Sequence, residues 1–154
     1  MSTINSDKLS SARFAQATDA FVEVFTASVD FDKRMAEQDI QGSIAHATML
    51  HAVGILTEQE RDAIVNGLNH IQQEINDGQF VWSIKQEDVH MNIESELTKR
   101  IGPAGAKLHT ARSRNDQIAT DVRLYCKDAV DQIIARAREL QRALIEAAAR
   151  IAPD

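Results

Sequence analysis

This sequence has little of what disulfide-rich, β-rich or membrane proteins require. Its single cysteine, Cys126, excludes an internal disulfide and a cysteine metal cluster, so we expect it to be a small buried or half-buried residue. Six glycines, two prolines and 5% aromatic residues favour helices over a turn-rich β fold. No apolar run approaches membrane-spanning length, and the first residues lack a signal-peptide core. We therefore expect a cytoplasmic protein.

Charge and motif content narrow the function classes further. The formal net charge is −6, and the basic residues are scattered among acidic ones. Nucleic acids and anionic membranes are bound by basic surfaces, so we expect neither kind of partner. The sequence also has no glycine-rich phosphate loop and no zinc or calcium spacing, which predicts no cofactor and no metal.

Apolar residues recur every three or four positions along most of the chain, which is the spacing of one helix face and predicts an all-α fold. Thr57 and Glu60 form a capping box, and Gly54 and Gly78 fit helix ends. We expect helices after Thr18 or Asp19 and over about 32–53, 57–77, 88–100 and 116–151, with a short extended piece or an irregular loop over 79–85. The short first helix is expected to bury its apolar residues, Phe21, Val24 and Phe25.

The last predicted helix is too long for the rest of the chain to cover. Residues 116–151 contain no proline or glycine, and an apolar stripe from Ile118 to Ile151 repeats every ~3.7 residues, so it stays on one face. At 1.5 Å per residue the helix is roughly 55 Å long. The ~110 residues before it form too small a body to bury that whole face. This mismatch predicts a helix bundle and self-association.

The most informative polar segment, Lys107–Asp121, lies where this long helix begins. The free N–H groups and positive dipole end of a helix attract anions, and Arg112 and Arg114 add fork-shaped donors that suit carboxylates or phosphates. Ser113 or Asn115 could cap the helix. The alternative is a capped helix start with two solvated arginines, and local chemistry alone favours that alternative.

The amino-acid sequences of three segments support a role in binding. His109–Gln117 reads HTARSRNDQ and resembles the HTGRSRNDQ segment of argininosuccinate lyases, with Ala111 in place of the usual glycine. Two more stretches resemble segments of the same family in the same order. They are Ser28–Arg34 followed by Asp39–His46, and Glu87–Glu94. The resemblance runs from about residue 13 to about residue 144.

This resemblance implies a fold, an activity and an assembly. Argininosuccinate lyases split argininosuccinate into arginine and fumarate by β-elimination, as homotetramers built around a central helix bundle. The implied division is an N-terminal arm over 1–12, a helical N-terminal domain over 13–112, and the start of the central bundle over 113–154. Adenylosuccinate lyase and fumarase are weaker matches, because their wording around the arginine–asparagine segment differs.

The resemblance also implies that eight residues of this chain bind the substrate. They are Ser28, Asp32, Asp88, His90, Thr110, Arg112, Arg114 and Asn115. His90 would contact substrate or orient the site. Alternatives from spacing alone are that His90 pairs with Glu94 one helical turn away, and that Ser28 and Asp32 are helix caps. His46, His51 and His70 are interpreted as surface or packing residues.

Three features count against activity of the chain alone. The family's catalytic serine lies in a GSSxMPxKxNP loop, and another key segment reads GYTHLQ; neither occurs in these 154 residues, so we expect no catalytic residue in this chain. Residues 8–14 replace a KLWGGRF-like start, and Ala111 adopts positive φ less readily than glycine. The alternative function is a non-catalytic, crystallin-like helical assembly derived from the lyase fold.

Overall fold

The computed structural model describes residues 19–151, and every regular element in that range is a helix. The α-helices are α1 (Ala20–Thr26), α2 (Val29–Asp32), α3 (Ala36–Ala52), α4 (Glu58–Asn76), α5 (Val89–Ile101), α6 (Pro103–Ala106) and α7 (Arg114–Ile151). Short 3₁₀ turns cover Lys33–Met35, Ile84–Gln86 and Lys107–His109. The predicted all-α fold is confirmed.

Local capping explains where the helices begin. The Asp19 carboxylate accepts a hydrogen bond from the Phe21 N–H at 2.8 Å, and the Asp88 carboxylate accepts one from the Met91 N–H at 2.6 Å. At the start of α4, Thr57 and Glu60 form the predicted reciprocal capping box. These side chains satisfy N–H groups that have no partner within the helix.

The core lies between α3, α4 and α5. Its fully buried apolar residues include Ala47, Leu50, Ile64, Leu68, Ile71, Val89 and Leu97, with Leu108 closing one end. Gly67 allows α4 and α5 to approach closely, because an added Cβ would lie 2.5 Å from Leu97 Cδ1. The predicted apolar stripe of α4 is confirmed as part of this core.

Helix α7 extends well past the compact body. Its beginning packs against α3, and the Gln38 Nε2 group donates a 2.7 Å hydrogen bond to Asp128 Oδ2. Beyond that point the apolar stripe is exposed; Leu140 and Leu144 are each 61% exposed. The rest of the described chain therefore leaves this half of the stripe uncovered, as its length predicts. Among residues 19–151, the helices are too short or too polar to cross a membrane.

Several predictions about packing were wrong. Phe21, Val24 and Phe25 are exposed rather than buried, because α1 packs mainly against the 3₁₀ turn at Ile84–Gln86. Cys126 on α7 is exposed as well. The helix expected over 32–53 is broken by the 3₁₀ turn at Lys33–Met35. The predicted arm over 1–12 and the departure over residues 8–14 lie outside the described residues.

Candidate functional site

The segment that begins at Ser28 and the segment that begins at Glu87 contact each other through backbone hydrogen bonds. The Ser28 and Val29 N–H groups donate to the Glu87 carbonyl at 2.8 and 3.1 Å. The Val89 N–H donates to Asp32 Oδ1 at 3.1 Å, and the Ser28 hydroxyl donates to Asp32 Oδ2 at 2.5 Å. Burial raises the pKa of Asp32, although the hydrogen bond from Ser28 opposes that effect. The sequence-predicted Ser28 and Asp32 therefore lie together, beside the segment that carries Asp88.

Caps and strain shape this junction. Asp88 caps α5, whereas Ser28 makes no side-chain cap bond and instead binds Asp32. Glu87 has a φ of +64°, which residues with a side chain seldom adopt. Its carbonyl is held in that orientation by the two N–H donors of the Ser28 segment. Strained backbone of this kind is often retained at functional sites.

A buried cluster of Asp39, His90 and Asp121 lies in the interior between α3, α5 and α7. The His90 Nδ1 atom lies 3.0 Å from Asp39 Oδ1 and 3.4 Å from Asp121 Oδ2. All three side chains are 1–2% exposed. The partner of His90 is Asp39 rather than Glu94, so the alternative drawn from one-turn spacing was wrong. His90 is therefore enclosed by the protein.

Burial and the charges of neighbouring groups shift the pKa values of all three residues of this cluster. Burial, followed by the neighbouring negative charge of Asp39, raises the pKa of Asp121 to about 7. Burial alone would also raise the pKa of Asp39, but the hydrogen bond and charge of His90 outweigh burial and lower it. Burial would lower the pKa of His90, and the same contact with Asp39 outweighs burial and raises it. Asp39 is thus the charged acid of the cluster and Asp121 the readily protonated one.

The same three residues offer ligand atoms within 4.8 Å of one another, a spacing that a metal ion could use. Hydrogen bonds within the protein already occupy the shared oxygen, because His90 and the Gln117 amide both approach Asp39 Oδ1. A bound metal would have to displace the His90 proton. The three side chains therefore form a hydrogen-bonded cluster.

Arg114 is held from two sides at the beginning of α7. One terminal nitrogen donates to Gln117 Oε1 at 2.6 Å, and the other donates to Glu94 Oε2 at 3.0 Å. Glu94 is buried, and His109 Nδ1 lies 3.4 Å from the same Glu94 oxygen. The Arg114 side chain remains 24% exposed. It is therefore oriented by the protein and still open to a ligand.

The turn before α7 places the remaining predicted residues. The His46 Nε2 atom lies 2.9 Å from the Thr110 carbonyl, and the Arg112 guanidinium donates to Ser43 Oγ at 3.3–3.4 Å. Burial lowers the pKa of Arg112, although the charge of Asp39 opposes that effect. These contacts tie the turn to α3.

The predicted departure at Ala111 lies at the sharpest point of this turn. Ala111 has a φ of +57°, in the left-handed region that favours glycine. After it, Ser113 Oγ accepts the Asn115 N–H at 3.1 Å and begins the helix, while the Asn115 side chain is exposed. The family glycine thus matches a backbone conformation that this chain adopts with a Cβ.

The eight predicted residues therefore fall into three places. Ser28, Asp32 and Asp88 lie at the first junction, His90 is in the buried cluster, and Thr110, Arg112, Arg114 and Asn115 lie at the turn into α7. Sequence reasoning missed four residues that hold these groups in place: Asp39, Glu94, Gln117 and Asp121. Asp39, Glu94 and Gln117 lie inside the three segments that resemble the family, and that position was the available signal. Asp121 lies four residues beyond the third segment.

The lyase family matches residues 12–152, and the chain belongs to that family. Within it, the chain is 64% identical over 144 residues to the argininosuccinate lyase of Hahella chejuensis, 61% over 141 residues to that of Hydrogenovibrio crunogenus, and 57% over 150 residues to that of Pseudomonas putida. The predicted resemblance to argininosuccinate lyases is confirmed.

These alignments cover most of this chain but a much smaller part of each relative. They cover 94%, 92% and 97% of this chain, and 31%, 30% and 32% of the respective relatives. The chain thus spans about a third of the length of the curated relatives it matches.

Proposed function

We propose that this chain supplies substrate-binding segments of an argininosuccinate lyase, a carbon–nitrogen lyase that releases arginine and fumarate. The observation that carries the proposal is Arg114, which two buried side chains orient while leaving it partly exposed at a helix start. A guanidinium there, beside the first N–H groups of α7, is suited to a carboxylate. The identity to argininosuccinate lyases supports that choice of ligand.

The proposed substrate has groups that match both parts of the site. Its carboxylates would be bound by Arg114 and Asn115, with Thr110 and Arg112 shaping the turn that presents them. Its guanidinium or amino group would face Asp32 and Asp88, and the Ser28 hydroxyl would exchange its hydrogen bond to Asp32 for one to a remaining substrate oxygen. His90 would orient the site from the interior.

The proposed reaction removes a proton from the carbon next to a carboxylate and expels the guanidinium nitrogen. The charge that develops on that carboxylate is best stabilised by fixed donors that need no rearrangement during the reaction. Arg114, fixed from two sides, is such a donor. We assign no catalytic acid or base to the residues of this chain, and the reaction as proposed needs no cofactor.

Assembly is the second part of the proposal. The exposed stripe on α7 would be covered by other copies in a homotetrameric helix bundle, since exposed apolar patches of several hundred Å² commonly mark interfaces. In this proposal residues 13–112 form the N-terminal domain and 113–154 begin the bundle, in a cytoplasmic enzyme with no nucleic-acid or membrane partner.

A chimeric enzyme tests the proposal directly. The aligned residues of this chain would replace the matching residues of the Hahella chejuensis relative, which supplies the rest of an enzyme. We expect the chimera to form fumarate from argininosuccinate within about tenfold of the rate of the parent enzyme. An assembled, folded chimera without activity would contradict the proposal and favour the non-catalytic alternative.

A further inference from the structure

The Gln117 side chain joins the exposed arginine to the buried cluster. Its Oε1 atom accepts from Arg114 at 2.6 Å, and its Nε2 group donates to Asp39 Oδ1 at 2.5 Å. Gln117 is 4% exposed, so water does not compete for these bonds. One amide thus forms a bridge between the partly exposed arginine and a buried carboxylate.

The chemistry at this position requires both a donor and an acceptor. Arg114 can only donate, and Asp39, which the contact with His90 keeps charged, can only accept. An amide satisfies both partners at once. A carboxylate would suit Arg114 but repel Asp39, and an apolar side chain would leave both without a partner.

We propose that Gln117 is the positioning residue that directs Arg114 toward the substrate carboxylate, with Asp39 as its anchor. The inference rests on the proposed function, because it assumes that Arg114 binds the substrate. Without the Gln117 acceptor, Glu94 is the remaining partner that the structure gives Arg114 among the described residues. The guanidinium would then turn to pair with both oxygens of Glu94, away from the ligand.

Two substitutions in the chimera separate positioning from general structure. Gln117→Met has a similar size and removes both hydrogen bonds, so KM for argininosuccinate should rise at least about tenfold at every pH. The value of kcat should fall as well, because Arg114 is also the proposed donor to the charge that develops in the reaction. Gln117→Glu introduces a carboxyl group that imitates the amide when protonated, with an O–H for Asp39 and a carbonyl for Arg114. Its KM should therefore approach that of the unaltered chimera as the pH falls.

The control is Gln132→Glu, which makes the same chemical change at an exposed position of α7. It should leave KM unchanged at every pH. All variants are compared at equal concentrations of assembled enzyme, measured by light scattering and circular dichroism.

The outcomes distinguish this inference from the proposed function. An unaltered chimera that neither binds nor converts argininosuccinate overturns both. An active chimera in which neither Gln117 variant changes KM overturns the positioning role alone. The same conclusion follows if activity is lost only in proportion to unassembled protein, or if Gln117→Glu shows no recovery at low pH. A rise in KM that Gln117→Glu reverses at low pH, and Gln117→Met does not, establishes the positioning role.

Discussion

Replacing Asp121 with asparagine should make the protein more stable at alkaline pH. Asp121 is 1% exposed, lies near the charged Asp39, and its Oδ2 atom has no hydrogen-bond partner among the described residues. Asparagine keeps the shape and removes the charge, and its amide can donate to Asp39. The substitution therefore removes the cost of burying a second carboxylate.

The size of the effect follows from the pKa of this carboxyl. The pKa of Asp121 rises from 3.8 to about 7 on folding, because of burial first and the charge of Asp39 second. A difference of about three pH units corresponds to ~4 kcal/mol between the folded and unfolded states. Relaxation of the surroundings reduces that figure, so we expect Asp121→Asn to gain on the order of 2–4 kcal/mol above pH ~7.

The pKa shifts also determine how the free energy of unfolding changes with pH. Between about pH 4 and 7 the folded chain binds the Asp121 proton and the unfolded chain releases it, so the free energy of unfolding falls as pH rises through that window. The raised pKa of His90 acts with the same sign, since its stabilising charge is lost as pH rises through the folded value. The lowered pKa of Asp39 gives stability that is lost only in acid, as pH falls through its folded value.

Urea unfolding followed by circular dichroism at about pH 4.5 and about pH 8.5 measures this effect. The quantity of interest is the gain from Asp121→Asn at the higher pH minus the gain at the lower one, which cancels any difference in hydrogen bonding. Asp131→Asn, on an exposed position of α7, is the matched control and should show no such difference. Equal gains from Asp121→Asn at both pH values would refute the reasoning.

Three further predictions address the turn, the site and the assembly. Ala111→Gly should stabilise the chain by up to about 1 kcal/mol in urea unfolding, because it relieves a positive φ, whereas the helical control Ala137→Gly should destabilise it by a similar amount; a loss of stability from Ala111→Gly would contradict this account. In the chimera, Asn115→Ala should lower the rate of fumarate formation at least about a hundredfold and shift the melting temperature little, since the side chain is exposed; retained turnover would exclude it from the site. Leu140→Glu together with Leu144→Glu should abolish self-association of the chain at micromolar concentration in light scattering, because two carboxylates would have to be buried, and a parent chain that is already a folded monomer would remove the basis of this prediction.

The start of α4 and its apolar stripe could be predicted because their causes are local. Thr57 and Glu60 are three residues apart, and a capping box requires nothing beyond that turn of chain. The length of α7 follows equally from an uninterrupted run without proline or glycine. The failure at Phe21 and Phe25 has the opposite cause. Periodicity shows which face of a helix is apolar but not whether another element covers it.

The residues of the candidate site could be proposed from sequence motifs, but their contacts in the fold could not. Arg114 and Asn115 stand out in sequence because they begin a long helix next to a cap residue. The cluster that supports them does not, because Asp39 and His90 are 51 residues apart and meet only when α3 packs against α5. The four-residue spacing alone suggested that His90 pairs with Glu94. In the fold, Glu94 instead accepts a hydrogen bond from Arg114.

The most direct test of the central claim is a crystal structure of the chimera at equilibrium with arginine and fumarate. We expect a ligand carboxylate within about 3 Å of both the Arg114 guanidinium and the Asn115 side-chain amide, with Arg114 still bonded to Gln117. A ligand bound in the enzyme with its carboxylates away from both Arg114 and Asn115 would contradict it.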